Sequence, residues 1–120
     1  MIERLKELVN QNERLVQKGN RIDEVLLVGI GNETYRVTIR RGAIDSVEKG
    51  PFVMPSYTFG IFAPKEEWEL FWSPTPPPGS HDLFALLKRR KLRLEGDLHC
   101  FMVNLFYFKE VFASLREREV

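Results

Sequence analysis

Apolar residues recur at three- and four-residue steps through the C-terminal third of the chain: Leu98, Phe101, Leu105, Phe108, Phe112 and Leu115. That spacing predicts an α-helix with one apolar face, launched at Asp97, whose side chain suits an N-cap. Met102, Val103, Phe106, Tyr107 and Val111 add a second apolar face, so the helix is expected to be covered nearly all round by protein, by a partner or by a bound apolar ligand. Just upstream, Leu92 and Leu94 alternate with Arg93 and Glu95 in the period-two pattern of a half-buried strand, and Gly96 frees the backbone for a sharp turn. The stretch 91–115 is therefore the hydrophobic centre of the chain. At about 1.5–3 kcal/mol for each large apolar side chain fully buried, it supplies a large share of the folding free energy of a small domain. Core packing accounts for such a stripe more often than a pocket does.

The remaining elements follow from the same two periods. Ile2, Leu5, Leu8, Val9, Leu15 and Val16 share a helical face, and Lys18-Gly19-Asn20 ends it, predicting an amphipathic N-terminal helix over 1–18. Residues 24–31 are apolar and β-branched, and Gly31-Asn32 turns them into 34–40, where Tyr35, Val37 and Ile39 alternate with Arg36, Thr38 and Arg40. Arg41-Gly42 turns the chain again into a third strand over 43–48, closed by Gly50-Pro51. A fourth strand is expected over 56–63, with Tyr57, Phe59 and Ile61 on one face and a light second face until Phe62. Pro64, Glu66 and Glu67 then start a helix bearing Trp68, Phe71 and Trp72, which the loop Pro74-Thr75-Pro76-Pro77-Pro78-Gly79 must stop. Ser80 or Asp82 caps the next helix, 83–90, with Leu83, Phe84 and Leu87 as its stripe. The order is α-β-β-β-β-α-α-β-α, an α+β pattern in a single domain over 1–120.

Composition narrows the function. A chain of 120 residues, 43% hydrophobic and 29% charged, is ordinary for a globular domain with its own core. A net charge of +1 supplies no global field for nucleic acid, so no nucleic-acid partner is expected. The apolar runs are too short to span a bilayer and the N-terminus is charged where a signal peptide would be apolar, which predicts a cytoplasmic protein. One cysteine, Cys100, agrees with a reducing compartment.

Particular residues add a family likeness. The segment TFGIFAPKEEWELFW, followed by DLFALLKRRKLRLEGDLHCFMVNL with its strand-to-helix turn at Lys91-Leu92-Arg93-Leu94-Glu95-Gly96-Asp97, resembles the sterol carrier protein two family, and the RRGAIDSV segment is similar too. The resemblance covers roughly residues 22–115 and is most specific over 91–97. It implies a five-stranded mixed, mostly antiparallel sheet covered by helices, with no enzymatic activity and no cofactor. It further implies an apolar tunnel between sheet and C-terminal helix that takes a fatty acyl chain, a sterol or a similar lipid. Carried onto this chain, the ligand-binding residues would be Phe59, Trp68, Phe71, Trp72, Phe84, Leu87, Phe101, Met102, Leu105, Phe106 and Phe108. Peroxisomal members end in a Ser-Lys-Leu type signal, whereas Arg118-Glu119-Val120 ends this sequence, so that address is not expected. Nine Phe and two Trp are enough to fill such a tunnel with side chains. The alternative is therefore an accessory domain of the same fold with a filled core, whose exposed aromatics form a homodimer or partner interface.

No constellation points to chemistry. His99 and Cys100 are helix neighbours and project about 100° apart, which does not make a thiol-base dyad. Ser80-His81-Asp82 has the residue types of a hydrolase triad, but triads assemble from separated positions, and capping accounts for Ser80 and Asp82. His81 and His99 have no ligand spacing around them, so no metal is expected. The basic run 88–91 suits a helix C-terminus and could meet lipid head groups or phosphates, allowing at most transient contact with a membrane surface. Pro74 and Pro77 fit a rigid connector.

Overall fold

Period-two alternation along β1 (Glu24–Ile30), β2 (Glu33–Arg40) and β3 (Ala43–Lys49) builds an antiparallel meander in the computed structural model, which describes residues 2–53 and 55–116. Across the ladders Leu26 faces Val37, Val28 faces Tyr35 and Ile39 faces Ile44, so one surface of the meander is apolar. β4 (Phe59–Ala63) runs parallel to β1, setting Phe59 beside Leu26 and Ile61 beside Val28. β5 (Arg93–Gly96) closes the edge antiparallel to β4. The sheet is thus five-stranded and mixed, as the family resemblance implies, and its strand order is β3-β2-β1-β4-β5. The fourth strand is shorter than the expected 56–63 and starts only at Phe59.

Helices bury the apolar surface of the sheet. A 3-10 turn (Ile2–Arg4) leads into α1 (Leu5–Asn10) and α2 (Glu13–Lys18), where one continuous helix is predicted. Val9 and Leu15 would stand about 120° apart on an unbroken helix, at the edges of its wide apolar face, yet both are fully buried. The chain breaks instead at Asn12, whose side chain accepts a hydrogen bond of 3.2 Å from the Leu15 N–H and so caps a new helix.

The C-terminal stretch is divided in the same way, into α5 (Leu98–Val103) and α6 (Leu105–Ala113), against the expectation of one long helix. Asn104 sits at the break and donates its side-chain amide to the Cys100 carbonyl at 3.2 Å, the local competition that makes Asn a poor helix interior. With the bend, Phe101, Tyr107, Phe108, Val111 and Phe112 all reach the core. Leu98, Met102, Val103 and Phe106 do not, and no other part of the described chain covers that face.

α3 (Lys65–Phe71) begins after Pro64, and α4 (Leu83–Lys88) is capped by Asp82, whose carboxylate accepts from the Ala85 N–H at 2.7 Å. The inward residues of α4 are Leu83 and Leu86 with Leu87 half-buried, which is the i, i+3, i+4 set. Phe84, expected on that stripe, lies a quarter-turn away and is exposed, with the Lys88 ammonium 6.0 Å from its ring centre.

Phe62 lies on the outer surface of the sheet. The Phe62 ring lies across Gly29 and Gly60, where a Cβ would come within 2.3 and 2.6 Å of it, and the Arg93 guanidinium stacks over the ring at 4.7 Å. Residues 118–120, which bear on the peroxisomal address, lie outside the described residues. Among the described residues no helix is long and apolar enough to cross a membrane.

Candidate functional site

The helical spacing of Trp68, Phe71 and Trp72 turns all three rings inward from α3, and each indole uses its N–H to fix itself to a different element. Trp68 Nε1 donates to the Gly29 carbonyl of β1 at 2.9 Å, and Trp72 Nε1 donates to the Phe112 carbonyl of α6 at 2.9 Å. The two indoles stack with centres 5.0 Å apart, and the Phe112 ring lies 6.0 Å from Trp68. Together they tie α3 to the sheet and to the last helix.

A groove of about 400 Å³ opens onto these indoles, with Ile2, Ile30, Tyr35, Trp68, Trp72 and Pro74 as its apolar and aromatic lining. Glu33, Lys65, Glu69 and Ser73 supply the polar part. The volume falls in the range of small-molecule sites. Tyr35 Oη donates to the Glu33 carboxylate at 2.7 Å, and Lys49 Nζ meets the same carboxylate at 3.2 Å. Burial, and then the Glu33 carboxylate, push the Tyr35 phenol up to about 12. The hydrogen bonds from Tyr35 and Lys49 hold Glu33 below the usual carboxylate range. At neutral pH the groove therefore presents a neutral phenol beside an anion that is already paired.

The sequence-predicted ligand residues are divided by the fold. Phe59, Phe101 and Phe108 pack on one another under the sheet, with ring centres 5.4 Å (Phe59–Phe101), 4.9 Å (Phe59–Phe108) and 6.2 Å (Phe101–Phe108) apart. Phe71 lies 5.9 Å from Trp68, and the Arg116 guanidinium sits 5.0 Å over it while donating to the Phe71 and His81 carbonyls. Met102 and Phe106 face outward at 47% and 71% exposure, Phe84 is exposed, and Leu87 and Leu105 are half-buried. Of the eleven, only Trp68 and Trp72 border the groove. Ile2, Ile30, Tyr35 and Pro74 also border it: each sits in a stripe, strand or loop that is legible by itself, but no local pattern places those segments beside α3.

The polar candidates are occupied elsewhere. Ser80 is buried and accepts from Arg89 Nη1 at 3.1 Å. Asp82 is held by the Ala85 N–H and by Lys109 at 3.2 Å, leaving His81 at 3.5 Å as an exposed neighbour. Burial, then the charges of Glu24 and Asp97, push the Cys100 thiol up to about 11, so it is a protonated thiol at neutral pH. Among the described residues no group of three or more His, Cys, Asp or Glu side chains could hold a metal ion.

A five-stranded mixed sheet with the parallel pairing at its β1–β4 seam, helices over one face and a Trp-bearing helix straight after β4 make up an α+β domain. No family model matches the chain, and no curated protein matches it in sequence. Solved structures share its fold. A crystal structure of sterol carrier protein 2 superposes with a TM-score of 0.75 at 15% identity, covering 96% of this chain and 92% of that one. A solution structure of a conserved hypothetical protein from Thermus thermophilus, described as a candidate sterol carrier protein, gives 0.74 at 14% identity over 95% of this chain and 82% of that one. A ubiquinone synthesis protein described as UbiJ-SCP2 gives 0.63 at 17% identity over 97% and 92%. The chain has the sterol carrier protein 2 fold.

Proposed function

We propose that this protein binds and carries an elongated apolar molecule, a fatty acyl chain or a sterol-like lipid, without performing chemistry on it. The observation that carries the reading is the groove on Trp68 and Trp72, apolar along Ile2, Ile30 and Pro74, with Tyr35 and Glu33 hydrogen-bonded to each other in its wall. Such a site holds a ligand by burial and shape, at about 25 cal/mol per Å² of apolar surface less the cost of association. The fold likeness to sterol carrier protein 2 agrees with that class of ligand. The chain of the ligand lies against the indoles, and passage further toward α6 requires Phe59, Phe71, Phe101 and Phe108 to change rotamer. Leu87, Leu105, Met102, Phe84 and Phe106 act, in this reading, only as the outer margin. The reading assigns the protein to the cytoplasm, where the single thiol stays reduced. Native mass spectrometry of gently purified protein tests it, together with titration of a fluorescent long-chain fatty acid followed by Trp68 and Trp72 emission. A co-purified apolar molecule, or saturable binding that Trp72→Ala weakens, is the expected result, and failure of every acyl and sterol probe to bind overturns it.

A second reading rests on the uncovered face of α5 and α6, where Leu98, Met102, Val103 and Phe106 are exposed together. An accessory domain that pairs through this face, with itself or with a partner, would need no ligand.

A further inference from the structure

The chain carries six consecutive positions, 88–93, of which five are cationic, and the fold treats those five differently. Lys88 lies over the Phe84 ring at 6.0 Å. Arg89 donates to the Gly79 carbonyl at 3.0 Å and to Ser80 Oγ at 3.1 Å. Arg93 meets Glu95 at 3.1 Å and stacks on Phe62. Among the described residues, the side chains of Arg90 and Lys91 have no carboxylate and no hydrogen-bond partner.

Arg90 and Lys91 nonetheless occupy fixed places. The Arg90 N–H donates to the Leu87 carbonyl at 3.0 Å and the Lys91 N–H to the Leu86 carbonyl at 2.9 Å, the double bond pattern of a Schellman cap. Arg90 therefore takes the left-handed position, φ 60°, which glycine adopts freely and arginine resists. The cap turns α4 straight into β5 and brings Arg90, Lys91 and Arg93 to one groove of about 690 Å³, separate from the tryptophans. Phe62, Leu87 and Leu92 make its apolar floor, and no carboxylate is among the described residues that line it.

We propose that this groove is a binding site for a small anionic amphiphile: an alkyl chain along Pro64, Leu87 and the part of Phe62 left exposed, and a phosphate or carboxylate head on Arg90 and Lys91. An anion with an apolar body satisfies both halves of the lining, and charge-assisted bonds from Arg90 would give the head its direction. Occupancy here does not depend on the groove at Trp68 and Trp72, so either site can fail without the other.

Decyl phosphate below its critical micelle concentration, decyl maltoside and inorganic phosphate, each titrated into the full chain, separate the sources of binding. Amide signals of Gly31, Asn32 and Leu92 should move with decyl phosphate while the indole signals of Trp68 and Trp72 stay in place. Arg90→Gly with Lys91→Gln should weaken decyl phosphate by about ten-fold or more. The double variant should melt no lower than the parent, because glycine suits the left-handed cap position. Equal binding of decyl maltoside removes the anion from the proposal, and equal binding of inorganic phosphate removes the chain. Unchanged affinity in the variant, or movement of the indole signals alone, overturns the site altogether.

Discussion

Tyr107 Oη donates a hydrogen bond of 2.6 Å to the carbonyl of Gly42, joining the last helix to the turn between β2 and β3. The same ring fills the space at Gly19, where a Cβ would stand 2.2 Å from Tyr107 Cε1. One phenol thus locks α6 onto the end of α2 and the turn between β2 and β3, which adjoin each other at Gly19 and Gly42. Tyr107→Phe should cost about 1–3 kcal/mol by leaving a buried carbonyl without its donor. Gly19→Ala should cost at least as much, because the ring has to move. Urea midpoints of the two variants check both values.

Alkaline pH should weaken the fold through tyrosine. Burial pushes the Tyr107 phenol up from its ordinary value near 10, and burial with the Glu33 carboxylate pushes Tyr35 up to about 12. Below pH 10 these phenols keep their protons in both states and contribute full stability. Above it the unfolded chain gives up protons that the folded chain keeps, so stability falls as pH rises through the window to about 12. Denaturant melts at neutral and high pH should show a smaller alkaline loss for Tyr35→Phe than for the parent, and an unchanged loss in the variant would count against Tyr35.

The strand-to-helix turn at Gly96 should tolerate no side chain. Gly96 has φ +92°, and a Cβ there would sit 2.6 Å from the Thr58 carbonyl oxygen and 3.0 Å from Phe59 Cα, both backbone. Gly96→Val should therefore exceed the roughly 1 kcal/mol of ordinary glycine replacement. Asp97 accepts from the Cys100 N–H at 3.1 Å as the expected N-cap, and Asp97→Ala should cost about 0.5–2 kcal/mol. Thermal melts would sink this account if Gly96→Val folded with the parent midpoint.

Phe62 and Gly60 should be energetically coupled. Gly60→Ala forces a methyl to within 2.6 Å of the ring, at a cost of about 1–3 kcal/mol. In a Phe62→Ala background the same change should cost clearly less, and a double-mutant cycle measures the difference. Additive costs would mean that the ring does not rest on the strand.

Phe106, at 71% exposure, should be replaceable by Ser within about 0.5 kcal/mol. Sedimentation velocity of parent and variant addresses the second functional reading at the same time. A parent that sediments as a dimer and a Phe106→Ser chain that sediments as a monomer would favour an interface on α5 and α6.

Strands were the most legible part of the sequence, because Tyr35, Val37 and Ile39 admit only one period and the glycine turns bracket them; Leu92, read with Leu94, lies just before β5. Helix continuity was not legible. Asn12 and Asn104 each interrupt an apolar periodicity without disturbing its count, and only the positions of Val9, Leu15 and Phe101 against the sheet reveal that the axis has changed. For the groove, periodicity identified Trp68 and Trp72, since both lie on the apolar side of a short helix. It gave no way to tell a ring that borders open space from one, like Phe59 or Phe108, that is enclosed by other rings. Ile2, Ile30, Tyr35 and Pro74 meet there through tertiary contact between segments far apart in the chain.

The parallel seam between β1 and β4 also sets an order of events for a ribosome-bound chain. When β1, β2 and β3 have emerged, the edge of β1 at Leu26 and Val28 stays unpaired until Phe59 and Ile61 follow, and the aromatic cover from α6 comes later still. An unpaired apolar edge is a template for other nascent chains. Translation speed across residues 50–63, and chaperone access while that edge waits, would therefore bear on the yield of native protein.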